Sequence, residues 1–157
     1  MMSERIVLVA EDDAGQILLL QRAFHRTDLR LSVHFVKDGQ EAIDYLKHEA
    51  TFRDRGVHPL PELLLLDLNM PRVDGFGVLE WVREQPVLKR LLIVVLTTSK
   101  ANEDVNRAYD LGANSYLVKP AGPSGLVELA ETIKGYWLGA NQPPEWAPQP
   151  RMNADAN

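Results

Sequence analysis

LLLLDLNMPRVDG, residues 63–75, decides how this chain folds. Leu63–Leu66 has no polar alternation, so a strand here is buried on both faces. A strand covered on both faces belongs to a parallel sheet packed between helices. Asp67 follows the run at once, and Leu68-Asn69-Met70-Pro71 leads the chain away. A carboxylate just beyond the carboxyl end of a buried strand stands where α/β sheets gather their functional groups.

The same pattern extends outward. Ile6–Ala10 (IVLVA) and Leu92–Leu96 (LIVVL) are further apolar runs; Leu31–Val36 (LSVHFV) is weaker, and Ser115–Val118 (SYLV) is the last. Helical periodicity fills the intervals. Ala14–Arg26 repeats Ile17, Leu20 and Phe24; Glu41–Glu49 carries Ala42, Ile43 and Leu46; Phe76–Glu84 carries Val78, Leu79 and Val82. Glu103–Leu111 carries Val105, Ala108 and Tyr109 and ends at Gly112, a good left-handed cap. Leu126–Leu138 carries Leu126, Leu129, Ile133 and Trp137. The alternation predicts an α/β fold: a doubly wound five-stranded parallel sheet flanked by five helices.

That domain is expected over residues 1–138. Residues 139–157 (GANQPPEWAPQPRMNADAN) are rich in Pro, Asn and Gln and predict an extended tail with no separate output domain. Trp146 within it is either an anchor or a solvated aromatic. Ala50–Pro61 is a long irregular connection, of the kind that is often functional or mobile.

Composition excludes several classes. With 45% hydrophobic and 25% charged residues, a chain of 157 supports one ordinary core. A net charge of −5 counts against nucleic acid as a partner, since phosphate binders cluster Lys and Arg. Without cysteine there are no disulfides or thiolate metal sites. The first apolar run is too short for a signal peptide, and no run approaches the roughly 20 residues of a membrane span. The expected compartment is the cytoplasm. The four histidines have no metal-ligand spacing and are expected to be structural or at the surface.

The strand ends carry the chemistry. The first ends in Glu11, Asp12 and Asp13, the third in Asp67, the fourth in Thr97, Thr98 and Ser99, and the fifth in Lys119-Pro120. Taken singly, these are commonplace: an Asp caps a helix, a Thr fills a strand, a Lys is solvated. Joint placement at four strand ends is not commonplace. Crowded carboxylates repel. A hard divalent cation relieves that repulsion, and Mg²⁺ favours a partial carboxylate set completed by water and phosphate oxygens. Asp67 is then a natural nucleophile toward phosphorus, with Thr97 and Lys119 holding phosphoryl oxygens.

VLVAEDD, LLLLDLNMPRVDG, VVLTTS and GANSYLVKP, in this order and spacing, resemble the bacterial two-component receiver family. The resemblance covers Arg5 to Leu138. It implies a flavodoxin-like receiver fold and a response regulator that accepts a phosphoryl group from a sensor histidine kinase on Asp67. Such a protein is a signalling phosphoacceptor rather than an enzyme, though it assists its own phosphotransfer and dephosphorylation. The resemblance implies Mg²⁺ (or Mn²⁺) held by Glu11, Asp12, Asp67 and the backbone carbonyl of Asn69, with Asp12 favoured over Glu11 as direct ligand. Asp13 carries over only as a helix cap. Thr97 and Lys119 match the hydroxyl and lysine that read the phosphoryl group, and Tyr116 matches the aromatic switch. The Lys119–Pro120 bond resembles one that is usually cis. The loop before the third strand, LTTS and IKGYWL are similar to receivers serving bacterial phytochromes. That implies a light-sensing kinase and a homodimer through the last helix region with Tyr136, Trp137 and Leu138. The output stays open between docking on a target and carrying phosphate in a phosphorelay. Two departures stand out: Ala121-Gly122-Pro123 replaces the usual Phe after Lys-Pro, and Thr98 stands where a smaller residue is common.

Two other readings stay open. A phosphatase of the haloacid dehalogenase type also uses a strand-end Asp, but places a second Asp where this chain has Asn69. An inert receiver-like interaction module would keep the fold without the chemistry.

Overall fold

The computed structural model of the chain describes residues 5–27 and 30–145. Its elements alternate: β1 Arg5–Ala10, α1 Ala14–Thr27, β2 Leu31–Val36, α2 Gly39–Lys47, β3 Leu63–Leu66, α3 Gly75–Glu84, β4 Leu92–Thr97, α4 Asn102–Asp110, β5 Ser115–Val118 and α5 Pro123–Gly135. The five strands are all parallel, in the order β2-β1-β3-β4-β5. Burial follows that order. Every residue of β3 and β4 is buried, whereas the edge strands β2 and β5 are largely half-buried.

Strand periodicity divides the core in two. Leu8, Leu64, Leu66, Ile93 and Val95 face α2, α3 and α4 through Ala42, Leu46, Val78, Leu79 and Ala108. Val7, Val9, Leu63, Leu65 and Val94 face α1 and α5 through Leu20, Phe24, Leu126, Ala130 and Ile133. Both faces of the sheet are thus covered, as the unbroken apolar runs require.

The caps are local. Asp38 accepts from the Glu41 amide at 2.7 Å, and Asp74 from the Gly77 amide at 2.9 Å. After α4, Gly112 takes φ +106°, a conformation in which a Cβ is strained. Tyr109 was expected on the buried face of α4, yet it is half-exposed, and Ala108 is the helix's buried residue. The helix lies over the β5 edge, where only one of its ridges meets the sheet.

Ala50–Pro61 is irregular except for a 3-10 turn at Ala50–Phe52. It is anchored on Tyr45, whose hydroxyl donates to the Pro59 carbonyl at 2.8 Å. Burial pushes that phenol up to about 12, against a smaller pull from Arg55, so it remains a neutral donor. His58 sets its ring edge-on to Tyr45 and Phe52 at 5.6 and 5.1 Å, a structural role.

Three expectations change at the far end of the chain. The last helix continues as a π turn, Tyr136–Ala140, so helical structure passes residue 138. Leu138 is buried in the α1–α5 face and Trp137 packs against the same cluster, so Leu138 is taken up by its own core and is not presented to a second copy. Tyr136 remains half-exposed. The peptide bonds of the described residues are all trans, which corrects the cis expectation for Lys119–Pro120. Trans is the ordinary preference by roughly 0.5–1 kcal/mol. The Pro120 ring sits against Gly125, where an added Cβ would lie 2.7 Å from it. Trp146 lies outside the described residues.

Candidate functional site

From β1 the chain crosses to β2 on one side and later returns to β3 on the other. The carboxyl ends of β1 and β3 therefore flank the point where connections diverge, the usual ligand crevice of such sheets. The ladder runs one residue past each strand: the Glu11 amide donates to Val36 at 3.0 Å and the Asp67 amide to Ala10 at 3.1 Å. Those bonds place both residues at the crevice. Glu11, Asp12 and Asp67 each offer a carboxylate oxygen within 4.8 Å of the others. Glu11 and Asp67 are buried, and Asp12 is exposed.

Lys119 comes from the end of β5, its amide bonded to the Thr97 carbonyl at 2.8 Å. Its buried ammonium donates to Glu11 Oε1 and lies 3.5 Å from Asp67 Oδ2. Burial pushes the Glu11 carboxyl above its usual range; Lys119 pulls it back only in part, and the Asp67 charge adds to the rise. Among the described residues, Lys119 is thus the ammonium set against the three carboxylates of the acidic cup.

Thr97 is fully buried, and its Oγ1 is an orphan, with no hydrogen-bond partner among the described residues. Such a group costs about 1–3 kcal/mol and calls for an explanation. A phosphoryl oxygen is one. Thr97→Val, similar in shape and without the hydroxyl, should unfold at the same temperature as wild type or higher, which thermal melts check.

The neighbouring residues sort by role. Asp13 Oδ1 accepts from the Gln16 amide at 3.0 Å, so Asp13 caps α1 and leaves Asp12 to the cup. Asn69 is exposed between buried Leu68 and Met70, which anchor its loop, and its amide approaches Asp67 Oδ1 at 3.4 Å. Tyr116 donates to the Ser99 carbonyl at 3.0 Å, in the connection after β4. Burial raises that phenol above its usual range, and the Ser99 bond offsets part of the rise.

Fit to a divalent cation is decided by the donor set. Three clustered carboxylates with a single ammonium suit a hard ion, and the orphan hydroxyl suits an anionic substrate beside it.

Sequence reasoning missed the frame around this cup. Arg72 has φ 65° and grips Asp38 with two bonds, 3.0 and 3.1 Å. A Cβ on Gly39 would lie 1.9 Å from the Val73 carbonyl, and one on Gly75 would lie 2.3 Å from the Asp67 carbonyl. The Asp74-Gly75 pair was a usable turn signal; nothing in the sequence marks Arg72.

Comparison with known proteins agrees with this fold. Residues 7–131 match the response regulator receiver domain. The chain belongs to that family. It is 41% identical to a probable methanogenesis regulatory protein, FilR2, of Methanothrix harundinacea, over 88% of this chain and 87% of that one. It is 33% identical to response regulator Rcp1 of Synechocystis, over 85% and 89%. Among solved structures, RPA3017, from red light signalling in R. palustris, superposes with TM-score 0.84 at 37% identity, covering 90% of this chain and 99% of that one. The phosphorylated cyanobacterial phytochrome response regulator RcpA gives 0.83 at 35%, covering 91% and 100%. The Mn²⁺-bound form of Rcp1 gives 0.79 at 32%, covering 90% and 99%.

Proposed function

We propose that this receiver takes a phosphoryl group from a histidine kinase onto Asp67 and switches conformation in response. The observation that carries the reading is the convergence of Glu11, Asp12, Asp67, Lys119 and the orphan Thr97 hydroxyl at the ends of four neighbouring strands. An Asp67 carboxylate oxygen forms a bond to the phosphorus of a phosphohistidine, and the phosphorus–nitrogen bond breaks. The imidazole leaves with the nitrogen electron pair and is protonated from water. Lys119 turns from Glu11 toward one phosphoryl oxygen, and the Thr97 hydroxyl donates to another. The residues that would hold a divalent ion are Asp12, Asp67 and the Asn69 carbonyl, with Glu11 beside them; when bound, Mg²⁺ or Mn²⁺ neutralises charge on the phosphoryl oxygens. The same cup assists dephosphorylation by orienting water.

Two charge-assisted bonds supply about 3–6 kcal/mol. Moving a population from 1:99 to 99:1 needs about 5.5 kcal/mol. Phosphorylation is therefore barely sufficient alone, and a second copy or a partner completes the shift. Half-exposed Tyr136 and half-buried Trp137 support a dimer through the last helix region. Tyr136→Glu should shift the sedimentation of the phosphorylated protein toward monomer; unchanged sedimentation removes that surface from the account.

The phytochrome-associated neighbours support a light-sensing kinase as phosphodonor, in the cytoplasm, as a direct output or a phosphorelay step. In this reading the receiver unit runs through the helical turn that ends at Ala140, two residues beyond the expected boundary at 138. No described helix is long and apolar enough to cross a membrane. FilR2 supports a second reading, in which the kinase senses something other than light. Initial rates of transfer from autophosphorylated kinases separate the two: a bacterial phytochrome should outpace other kinases, and Asp67→Asn should accept nothing from any. Faster transfer from a light-insensitive kinase favours the second reading.

A further inference from the structure

We propose that Arg72 and Asp38 form a positioning pair that holds the loop after β3 in its metal-binding shape. The inference rests on the receiver reading of the cup, and it concerns residues that touch neither ion nor phosphoryl group in that reading.

The loop from Leu68 to Asp74 has fixed ends. Gly75 donates to the Leu68 carbonyl at 2.9 Å and packs on Asp67, and Asp74 caps α3. Between them, buried Leu68 and Met70 flank exposed Asn69. Arg72 adopts the left-handed region, which costs a non-glycine residue free energy and persists only where the surroundings impose it. The Val73 amide closes a tight turn around it by donating to the Pro71 carbonyl at 2.8 Å, and its side chain is held by Asp38. The two Asp38 oxygens accept from Arg72 Nε and Nη2, and the same carboxylate caps α2 through the Glu41 amide. Glu41 and Asp44 of α2 add to the attraction for the guanidinium. Burial acts to raise the Asp38 carboxyl, but Arg72 and the Glu41 amide outweigh it and hold the group below the usual carboxylate range. Beside the pair, Gly39 lies so close to the Val73 carbonyl that no side chain fits between them. The start of α2 is thereby a fixed wall against which the loop is pinned. Releasing Arg72 lets the backbone relax toward ordinary φ, and the Asn69 carbonyl moves with it.

Four variants of the full chain test this: Asp38→Asn, which keeps the α2 cap but loses the charge; Arg72→Ala, which loses the fork but keeps the strain; Arg72→Lys; and the Asp38→Asn/Arg72→Ala double. Mn²⁺ dissociation constants are read by calorimetry, with thermal melts alongside. Each single variant should weaken Mn²⁺ about tenfold, as loss of an orienting partner does. The double should be no weaker than either single, and Arg72→Lys should recover part of the loss. Unchanged Mn²⁺ affinity in both single variants, even with lowered melting temperatures, reduces the pair to a structural role and overturns the proposal. Additive losses in the double overturn it as well. Failure of wild type itself to bind Mn²⁺ would instead refute the receiver reading of the cup.

Discussion

Gly75→Ala is expected to unfold roughly 10 °C below wild type and to lose nearly all phosphoryl acceptance at temperatures where it is still folded. The added Cβ would stand 2.3 Å from the Asp67 carbonyl oxygen and 2.7 Å from Leu68 Cα. Both obstacles are backbone of the site itself, so no side chain can rotate away. Overpacking of this kind costs about 3 kcal/mol. Either β3 or α3 must retreat, and Asp67 moves with β3. Gly135→Ala is the matched control: nothing lies within 4 Å of a Cβ there, and its backbone is helical. That substitution should be neutral or stabilise by about 0.5–1 kcal/mol. Calorimetry and a phosphorylation assay at low temperature measure both halves. Wild-type stability in Gly75→Ala would mean that the loop after β3 is far looser than its contacts imply.

Arg83→Met carries the largest expected loss of stability, about 4 kcal/mol, with little change in the site's chemistry. The guanidinium donates to Gly112 at 2.9 and 2.6 Å, to Lys89 at 2.9 Å, to Leu91 at 2.7 Å and to Asn114 Oδ1 at 3.0 Å. It ties α3 to the turn before β4 and to the connection before β5. Burial lowers its pKa from the usual arginine value, yet that value starts so high that the group stays charged. Removing it leaves several carbonyls without donors. Arg83→Lys should recover under half of the loss, since one ammonium cannot reproduce a planar fork. This hub lies at the amino end of β4, opposite Thr97, so the phosphorylation rate at low temperature should change little. Urea titration gives the stability, and a melt like that of wild type would deny the hub its role.

The fold was largely legible because its signal is apolar continuity. Leu63–Leu66 and Leu92–Leu96 fit no amphipathic pattern, and burial on both faces is the physical consequence. The strand ends were legible for the same reason, since a strand stops where its first charged residue stands, at Glu11 and Asp67. Relations between distant side chains were hidden. Lys119 was expected to serve the phosphoryl group, and the structure seats it first on Glu11. Tyr109 and Leu138 follow helical periodicity equally well, yet one is half-exposed and the other buried, because neighbouring elements decide which ridge is covered. Arg72 had no pattern at all, since its partner Asp38 is 34 residues away.

The central claim is that distant parts of the chain build one acid-lined pocket in which Asp67 takes up phosphorus. It is tested most directly by intact-mass measurement after incubation with acetyl phosphate and Mg²⁺. Wild type should gain a single acid-stable, base-labile phosphoryl mass that disappears when EDTA is present from the start, and Asp67→Asn should gain none. An adduct of equal yield on Asp67→Asn, or continuous release of phosphate from many esters, would contradict the account.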